Sequence, residues 1–379
     1  MKIAIFETEH FEGAYPVIRL FDNGENAITV FCYEQSFRQF QFLFKEDFSK
    51  YKWVVKQDDE SKNHFIYRMY QEIKKGKMEI LYLNTISNNF HSYALLIKML
   101  KNVRTIVTIH NINNYFQFIP AFSLRRFIRN GGKKRLIKNT REFNVVSLTM
   151  IESLQKRLPS FKKVHCIPGA VFEKEKINAV NLIRGQQLKI VVPGTVDVRR
   201  RDYQKVFDLL YACNNLDLPI VITLLGGYYG DAGKRIIEAC EKYILQFDNL
   251  QFYNAKIVDQ PEFDKVMNES HFVWIPSVIT TIINDEVREI YGETMASGNL
   301  FDIIKHAKPF IVPAQLRFDE YLQSSSFCYQ NTNDIIEYIR RFINEPSLYY
   351  QLCKKALLNS ENYTAENVRK RNQDLLLVQ

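Results

Sequence analysis

The feature that most constrains this chain is a regular alternation of short apolar runs with longer amphipathic stretches. Short apolar runs bounded by polar residues are typical of buried strands, and parallel strands need helical crossovers between them. The alternation therefore predicts parallel α/β units in both halves of the chain. The predicted strands are residues 2–6, 27–33, 80–83, 105–109, 144–148 and 164–167, followed by 189–192, 220–225, 250–253, 272–275 and 309–312.

A polar stretch separates the two groups of predicted strands, and a length of 379 residues suits two domains. We predict a first domain at residues 1–172, a linker at 173–187 and a second domain at 188–360. A C-terminal helix at 361–379 is positioned to cross back to the first domain. The predicted fold class is α/β, with two Rossmann-like, doubly wound parallel sheets facing each other across a cleft. Because open α/β sheets bind ligands at the carboxyl ends of their strands, each side of the cleft is expected to hold one ligand.

Several protein classes are excluded by what the sequence lacks. No apolar stretch approaches the ~18–20 residues of a membrane-spanning helix, and the start of the chain meets Glu7 and Glu9 before a signal peptide could form. The six cysteines and seven histidines form no CxxC or HExxH pattern. We therefore expect a cytoplasmic protein without a disulfide framework, structural zinc or any essential metal.

The net charge of +9 is concentrated in the first half of the chain. Between Glu79 and Glu142 there is no acidic residue, whereas eleven residues are Lys or Arg. Residues 122–141 mix these cations with apolar side chains, as in segments that lie at an anionic membrane surface. A solvated basic loop is the alternative, and Gly131-Gly132 argues against one continuous helix. Nucleic acid is not an expected partner, because no nucleic-acid-binding motif accompanies the charge.

The loop after the predicted strand at 189–192 combines a glycine with a run of three arginines. Gly194 allows the backbone to turn or to approach a ligand, and planar guanidinium groups suit phosphate oxygens. We predict that Gly194, Thr195, Arg199 and Arg201 bind a donor diphosphate. A solvated charge run before a helix is the alternative.

Ser297-Gly298-Asn299 precedes a helical pattern at residues 300–307. Unpaired amide groups at a helix start form an anion site, and Asp302 in the first turn is placed to accept hydrogen bonds from a ribose. Alternatively, the tripeptide is an ordinary N-cap.

Three carboxylates, Glu286, Glu289 and Glu293, lie in the predicted loop before this helix. A carboxylate at that position could hold sugar hydroxyl groups. The alternative is that all three are ordinary surface residues.

Other candidates also follow predicted strands. His110 and Asn111 come after the strand at 105–109 and would face the cleft, although a lone histidine is also often structural. Gly13, in the predicted loop after the first strand, is an acceptor-site candidate, and Gly227 is a donor-site candidate. For both glycines a simple turn is the alternative.

Taken together, these segments resemble the GT-B glycosyltransferases, particularly the large retaining family that includes many bacterial polysaccharide and lipopolysaccharide enzymes. The matching landmarks run along nearly the whole chain. They are TIHN at 108–111, HCIPGAV at 165–171, VVPGTVDVRRRDY at 191–203, LLGG at 224–227, SHFVWIPS at 270–277 and the segment 298–309.

The resemblance implies that the second domain binds a nucleotide-diphosphate sugar and the first domain a glycan or lipid-linked acceptor. It implies donor-phosphate binding by Arg199, Arg201 and the Ser297-Gly298 helix start, with His110 near the reacting sugar. We take His110 and Glu289 as the candidate catalytic residues. The expected reaction is a retaining, metal-independent sugar transfer in surface polysaccharide synthesis, without a cofactor beyond the sugar nucleotide. Such an enzyme would work in the cytoplasm, peripherally at the inner face of the plasma membrane.

The chain departs from the family pattern at two places. The family usually has Gly-Arg or a similar pair where this chain has Gly194-Thr195, and it usually has two glutamates separated by seven intervening residues before the Lys-Pro landmark. Alignment on Lys308-Pro309 puts Asp302 at the second acid and Thr294 at the first. Glu289 or Glu293 takes the first role if the loop carries an insertion.

Two other functions are compatible with the same pattern. One is a nucleotide-sugar epimerase or hydrolase, which would release nucleotide diphosphate without a saccharide acceptor. The other is a non-catalytic basic binding protein that partners another transferase.

Overall fold

A computed structural model describes residues 1–118, 123–176, 182, 185–283 and 287–376. Its first seven strands form one parallel sheet in the order β3-β2-β1-β4-β5-β6-β7. These strands are β1 (Lys2–Glu7), β2 (Ala27–Cys32), β3 (Lys52–Val55), β4 (Ile80–Leu83), β5 (Arg104–Thr108), β6 (Glu142–Val145) and β7 (Lys163–Cys166).

A second sheet of six parallel strands has the order β10-β9-β8-β11-β14-β15. Its strands are β8 (Leu188–Pro193), β9 (Ile220–Leu225), β10 (Leu250–Phe252), β11 (Phe272–Trp274), β14 (Phe310–Pro313) and β15 (Ser326–Tyr329). A separate antiparallel hairpin consists of β12 (Thr280–Ile283) and β13 (Val287–Ile290). Two doubly wound parallel sheets confirm the predicted fold class.

Helices connect these strands and continue to the C-terminal region. In the first domain they are α1 (Phe11–Phe21), α2 (Glu34–Phe44), α3 (Lys62–Gly76), α4 (Phe90–Met99), α5 (Ile112–Phe116), α6 (Leu124–Asn139) and α7 (Ile151–Gln155). In the second they are α8 (Tyr203–Asn215), α9 (Gly230–Tyr243), α10 (Gln260–Glu269) and α11 (Gly298–His306). The last four are α12 (Thr332–Asn344), α13 (Pro346–Glu361), α14 (Ala365–Arg371) and α15 (Gln373–Leu376).

The central strands consist mainly of apolar residues because both faces of each sheet are buried. Along β1, Ala4 and Phe6 belong to one hydrophobic cluster, whereas Ile3 and Ile5 belong to the cluster on the opposite face. Burial on both faces produces continuous apolar runs rather than a polar–apolar alternation. This is why the runs could be recognised in the sequence.

Strand order reverses between β1 and β4 in the first sheet and between β8 and β11 in the second. At such a point the following crossovers leave in opposite directions and open a crevice at the carboxyl ends of the strands. The crevices contain Glu7 and Asn84 on one side and Gly194 and Ser277 on the other.

Two edge strands and the hairpin lie outside the predicted strands. The edge strand β3 buries only one of its four residues fully, and β15 likewise buries only Tyr329. Half-exposed strands carry polar residues and lose the continuous apolar signal. The segment 286–293 is predicted to be a loop, but residues 287–290 of it form β13. Glu286 lies outside the described residues.

Helix α6 runs without interruption through Gly131-Gly132, so the predicted break there is wrong. A Cβ on Gly132 would lie 2.8 Å from the Cβ of Phe90 and 3.0 Å from the backbone nitrogen of His91. The glycines therefore allow α6 to pack closely against α4, and that packing offsets the low helix propensity of glycine. Phe122, the first residue of the predicted membrane segment, lies outside the described residues.

The last helices return to the first sheet's layer. Arg369 of α14 donates hydrogen bonds to the backbone oxygens of Arg19, Leu20 and Asp22 at the end of α1, at 2.6–2.8 Å. Val368 and Leu375 are buried in the same cluster as α1. Within the part of the chain that the structure describes, no helix is long and apolar enough to cross a membrane.

Candidate active site in the cleft

The loop after β8 depends on Gly194. This residue has a φ of +88°, and a Cβ there would lie 2.5 Å from Nη2 of Arg201. Its backbone N–H donates to the carbonyl of Leu225 at 2.7 Å, which holds the loop against the end of β9. Thr195, the next residue, is exposed. The turn thus requires glycine both for its conformation and for the arginine packed on it.

Arg201 points into the protein and is only 7% exposed. Its Nη1 donates to the carbonyl of Thr195 at 2.7 Å, and its Nη2 donates to the carbonyl of Pro193 at 2.5 Å and to Oδ1 of Asn299 at 2.9 Å. Asn299 also donates to the Pro193 carbonyl at 2.9 Å. The predicted phosphate ligand Arg201 therefore fastens the loop to α11, and protein atoms occupy both of its terminal nitrogens.

Arg199 is paired within its own loop. The buried carboxylate of Asp197 accepts from Arg199 Nε at 3.0 Å and from Nη2 at 2.8 Å. Burial alone would raise the pKa of Asp197, but the hydrogen bonds and charge of Arg199 hold it below its usual value. The Arg199 guanidinium also lies 5.1 Å from the ring centre of Tyr229. Sequence reasoning missed Asp197, although its position two residues before the arginines was a usable signal.

Gly227 is a packing position. It is buried, and a Cβ there would lie 2.1 Å from the carbonyl oxygen of Lys256. The backbone of a neighbouring loop therefore approaches Gly227 closely, and a role of Gly227 in donor binding stays a prediction.

The start of α11 is open at one residue. Gly298 is exposed, and no described atom beyond its chain neighbours and its own helix backbone lies within 4 Å of where its Cβ would be. Ser297 is the N-cap residue but is buried, and its side chain makes no capping hydrogen bond. A nine-residue helix with an uncapped amino end retains unpaired N–H groups and the positive end of its dipole. Such an end can accept an anion.

Asp302 lies one turn into α11 and accepts from Asn299 Nδ2 at 3.3 Å. Burial, followed by the negative charge of Glu12, raises its pKa to about 7. Glu12 belongs to α1, so this interaction crosses between the two domains. The cleft thus brings together a carboxyl group from each domain, and no local sequence pattern indicates Glu12 as the partner.

Glu289 lies in the interface between the domains and has no exposed surface. Its carboxylate accepts from the backbone N–H of Asn114 at 2.7 Å and of Asn113 at 3.3 Å, in the first turn of α5. Burial raises its pKa, although Thr294 and these amides oppose the shift. Glu289, a predicted catalytic residue, therefore caps helix α5 of the first domain.

The contact between the hairpin and the first domain continues through the residues after β13. Asn111 pairs with Met295 through the backbone, and the N–H of Ile112 donates to the carbonyl of Thr294 at 2.9 Å. Glu293 lies half-buried in the turn, and its backbone N–H donates to Ile290. Asn111 and Glu293 thus lie on either side of the contact between the hairpin and α5.

His110 occupies the carboxyl end of β5. Its Nε2 lies 2.9 Å from the carbonyl of Asn84, so Nε2 carries the proton and donates. Burial and the neighbouring His10, whose ring centre is 5.4 Å away, lower the pKa of His110 to about 4. The imidazole is therefore neutral at pH 7, with Nδ1 as its unprotonated nitrogen.

Glu7, the last residue of β1, organises this end of the first sheet and was missed. Its fully buried carboxylate accepts from the backbone N–H groups of residues 8–10 at 2.5–2.7 Å. It also accepts from Asn84 Nδ2 at 2.6 Å and Thr85 Oγ1 at 2.8 Å. These bonds fix both loops that hold His110. The signal was an acidic residue directly following an apolar strand.

Gly13 lies inside α1, not in the predicted loop before it. A Cβ there would be 3.6 Å from Nδ2 of Asn84, an ordinary contact distance. Among the described residues, no group of three or more His, Cys, Asp or Glu side chains could hold a metal ion.

No protein-family model and no curated protein sequence matches the chain. Solved structures do match it along its whole length. Anabaena HepE in complex with UDP and glucose has a TM-score of 0.65 at 9% identity, covering 99% of both chains. The sucrose-phosphate synthase from Thermosynechococcus elongatus has a TM-score of 0.61 at 14% identity, covering 99% of this chain and 98% of that one.

A third match is the UDP-GlcNAc 2-epimerase from Neisseria meningitidis bound to UDP-GlcNAc. It has a TM-score of 0.60 at 11% identity and covers 100% of both chains. Transferases and an epimerase thus share one architecture with this chain. With both parallel sheets, their reversed strand orders and the cleft between them described, the chain is shown to have the GT-B glycosyltransferase-like fold.

Proposed function

We propose that this protein is a glycosyltransferase that moves a sugar from a nucleotide-diphosphate donor to a glycan or lipid-linked saccharide acceptor. The observation that carries this proposal is the open amino end of α11 at the switch point of the second sheet. Gly298 leaves room there for an anion, and Arg201 and Asn299 hold the neighbouring loop rigid. The structural neighbours complexed with UDP or UDP-GlcNAc support a nucleotide-sugar ligand.

In the proposed reaction, the donor diphosphate lies on the α11 amides. As the bond from the sugar to the phosphate breaks, negative charge grows on the leaving diphosphate. Preorganised N–H groups and the helix dipole stabilise that charge without reorganising at the moment of reaction. The carboxylate of Asp302, one turn along α11, would accept a hydrogen bond from a ribose hydroxyl. We propose that the step needs no metal and retains the sugar's configuration.

His110 provides the proposed acceptor side. It is neutral, and its orientation is fixed by Asn84 and, through Asn84 and Thr85, by Glu7. A neutral imidazole nitrogen can accept a hydrogen bond from a sugar hydroxyl without placing a second positive charge beside the donor.

A thermal-shift screen against UDP-, GDP- and CMP-sugars tests donor binding, because a ligand that binds only the folded protein raises Tm. One donor should stabilise the wild type, and Gly298→Asp should abolish the shift by placing a negative charge at the helix amides. Gln71→Glu serves as the control, because it adds a negative charge at an exposed residue of α3 in the first domain. A shift of the same size in Gly298→Asp would contradict the site.

An epimerase or hydrolase is the second candidate, favoured by the UDP-GlcNAc 2-epimerase neighbours. The two functions differ in their need for an acceptor. A transferase should release nucleotide diphosphate rapidly only when a saccharide acceptor is added. Rapid release from donor alone would favour the epimerase or hydrolase.

We also propose peripheral attachment to the inner face of the plasma membrane through α6, in the service of surface polysaccharide synthesis. Leu124, Phe127 and Ile128 are 74%, 67% and 50% exposed on this helix, and Arg125 lies between them. Apolar side chains with adjacent cations suit an anionic interface. In a flotation assay the wild type should rise with anionic vesicles, whereas Phe127→Ser should not. Equal binding to neutral vesicles would refute the electrostatic part.

A further inference from the structure

A polar cavity of about 780 Å³ lies beside α6, away from the α11 amides. One wall is basic and contains Arg125, Arg126, Arg129 and Lys133. Among the described residues that line it, none is Asp or Glu. A concave site with cations on one wall and no acid in its lining is suited to an anionic ligand.

The opposite wall is rich in amide and hydroxyl groups. Asn63 Oδ1 accepts from Asn89 Nδ2 at 2.9 Å and from Ser92 Oγ at 2.8 Å. Asn88 Nδ2 donates to Ser87 Oγ, whose own hydroxyl donates to Glu9, a residue that does not line the cavity. Side chains of this kind can donate to and accept from sugar hydroxyls.

The basic side chains converge on the same space. Burial and then the charge of Arg125 lower the pKa of Arg129. Burial and then Arg129 lower the pKa of Lys133 to about 8, while Glu289 opposes that shift. Lys133 is anchored by the carbonyl and the side-chain oxygen of Asn114. Side chains whose positive charges disfavour one another's protonated forms in this way are stabilised when an anion binds between them.

The cavity is connected to the proposed acceptor site by the loop after β4. Asn84 and Thr85 contact Glu7 and His110, whereas residues 87–89 of the same loop line the cavity. A ligand in the cavity therefore lies along the loop that contacts His110.

We propose that this cavity binds a phosphate group carried by the saccharide acceptor. The inference rests on the proposed transferase function and specifies the acceptor's chemistry. Arg125 and Arg129 bind the phosphate, the Asn and Ser side chains bind sugar hydroxyls, and the acceptor sugar extends toward His110. Because Ile128 also lines the cavity and is half-exposed, a lipid attached to the phosphate could leave along the apolar side of α6.

Inorganic pyrophosphate is the probe, with its affinity measured by isothermal titration calorimetry. Arg125→Gln and Arg129→Gln should each weaken binding about tenfold or more, as loss of a charge-assisted hydrogen bond predicts. Lys138→Gln, the same charge change on a part of α6 outside the cavity, should leave the affinity unchanged. Arg125 is exposed, so its variant should fold even if Arg129→Gln, which loses its contact with Phe90, does not.

Gly298→Asp separates this site from the donor site. If the cavity binds pyrophosphate, the cavity affinity should persist in Gly298→Asp. If binding is lost there and persists in Arg125→Gln, the ligand occupies α11 and the inference is overturned. Absence of pyrophosphate binding, combined with loss of anionic-vesicle binding in both arginine variants, would make the cavity wall a membrane contact and also overturn it. Failure of donor binding in the sugar-nucleotide screen would refute the transferase without changing the cavity result.

Discussion

Arg201 can be tested as a tether rather than as a phosphate ligand. In Arg201→Ala the carbonyl of Pro193 keeps its bond from Asn299, whereas Oδ1 of Asn299 and the carbonyl of Thr195 each lose the bond that the guanidinium donates. Thr195 is exposed, so water can replace the bond to its carbonyl. Loss of the bond to the buried Asn299 acceptor, with a cavity where the arginine side chain was, should lower the free energy of unfolding by about 2–4 kcal/mol.

The assay is urea unfolding of the protein without donor, followed by far-UV circular dichroism. Arg200→Ala is the matched control, because the Arg200 side chain is exposed and its Nε lies 3.6 Å from the Asp197 carboxylate. Exposed ion pairs contribute about 0–1 kcal/mol. If Arg201→Ala unfolds at the urea concentration of the wild type and loses only donor affinity, the tether interpretation is wrong.

A double variant sharpens the test. Gly194→Ala alone introduces a Cβ 2.5 Å from Nη2 of Arg201 as well as an unfavourable positive φ. Removing Arg201 eliminates the first cost and leaves the second, about 1–2 kcal/mol. The two substitutions should therefore be less damaging together than the sum of their separate effects. Strict additivity would show that Arg201 does not pack on Gly194.

Three further predictions concern other parts of the molecule. Because burial raises the pKa of Asp302 to about 7, the wild type should lose stability relative to Asp302→Asn as pH rises from about 4 to 7. Tm measured across that pH range tests this, and parallel curves of Tm against pH for the two proteins would contradict it. Glu289→Gln should lower the free energy of unfolding by about 1–3 kcal/mol in urea unfolding yet retain the donor-induced rise in Tm, whereas unchanged stability with lost activity would favour a catalytic role. Gly132→Ala should lower Tm, because the added Cβ would overpack against Phe90. Gly131→Ala should instead raise the free energy of unfolding by about 0.5–1 kcal/mol, because its Cβ would meet the His91 ring at an ordinary 3.5 Å. Equal effects of the two variants would refute the close α4–α6 packing.

The sequence was sufficient for the sheets because their signal is local. Residues such as Ile3 and Phe6 are apolar since both faces of β1 are covered, and each neighbouring strand repeats that pattern. The starts of α13 at Pro346 and of α14 at Ala365 also carry local signals, a proline at the first helical position and a threonine cap. The edge strands β3 and β15 and the hairpin lacked such a pattern.

The direction in which each site residue points could not be predicted, because it depends on distant partners. Arg201 turns inward to reach Asn299, 98 residues later, and Glu289 reaches amides 175 and 176 residues earlier. A charge run and an acidic residue have the same sequence signal whether they bind a ligand or another part of the chain. Asp197 differs, because an acid two residues before Arg199 is a local reason to expect pairing.

Glu289 links the two halves of the proposed site even if it never contacts a substrate. The hairpin that carries it leads within eight residues to Ser297, the cap of α11, and the helix that it caps begins two residues after His110. Phe301 packs on the first domain at Gly169, where a Cβ would lie 2.4 Å from its ring, and fixes α11 from the other side. These two contacts therefore connect α11 and the hairpin before it to the first domain, which carries His110. We therefore expect Glu289 to act as a positioning residue, because its carboxylate joins the hairpin before the proposed donor helix to the helix that follows His110.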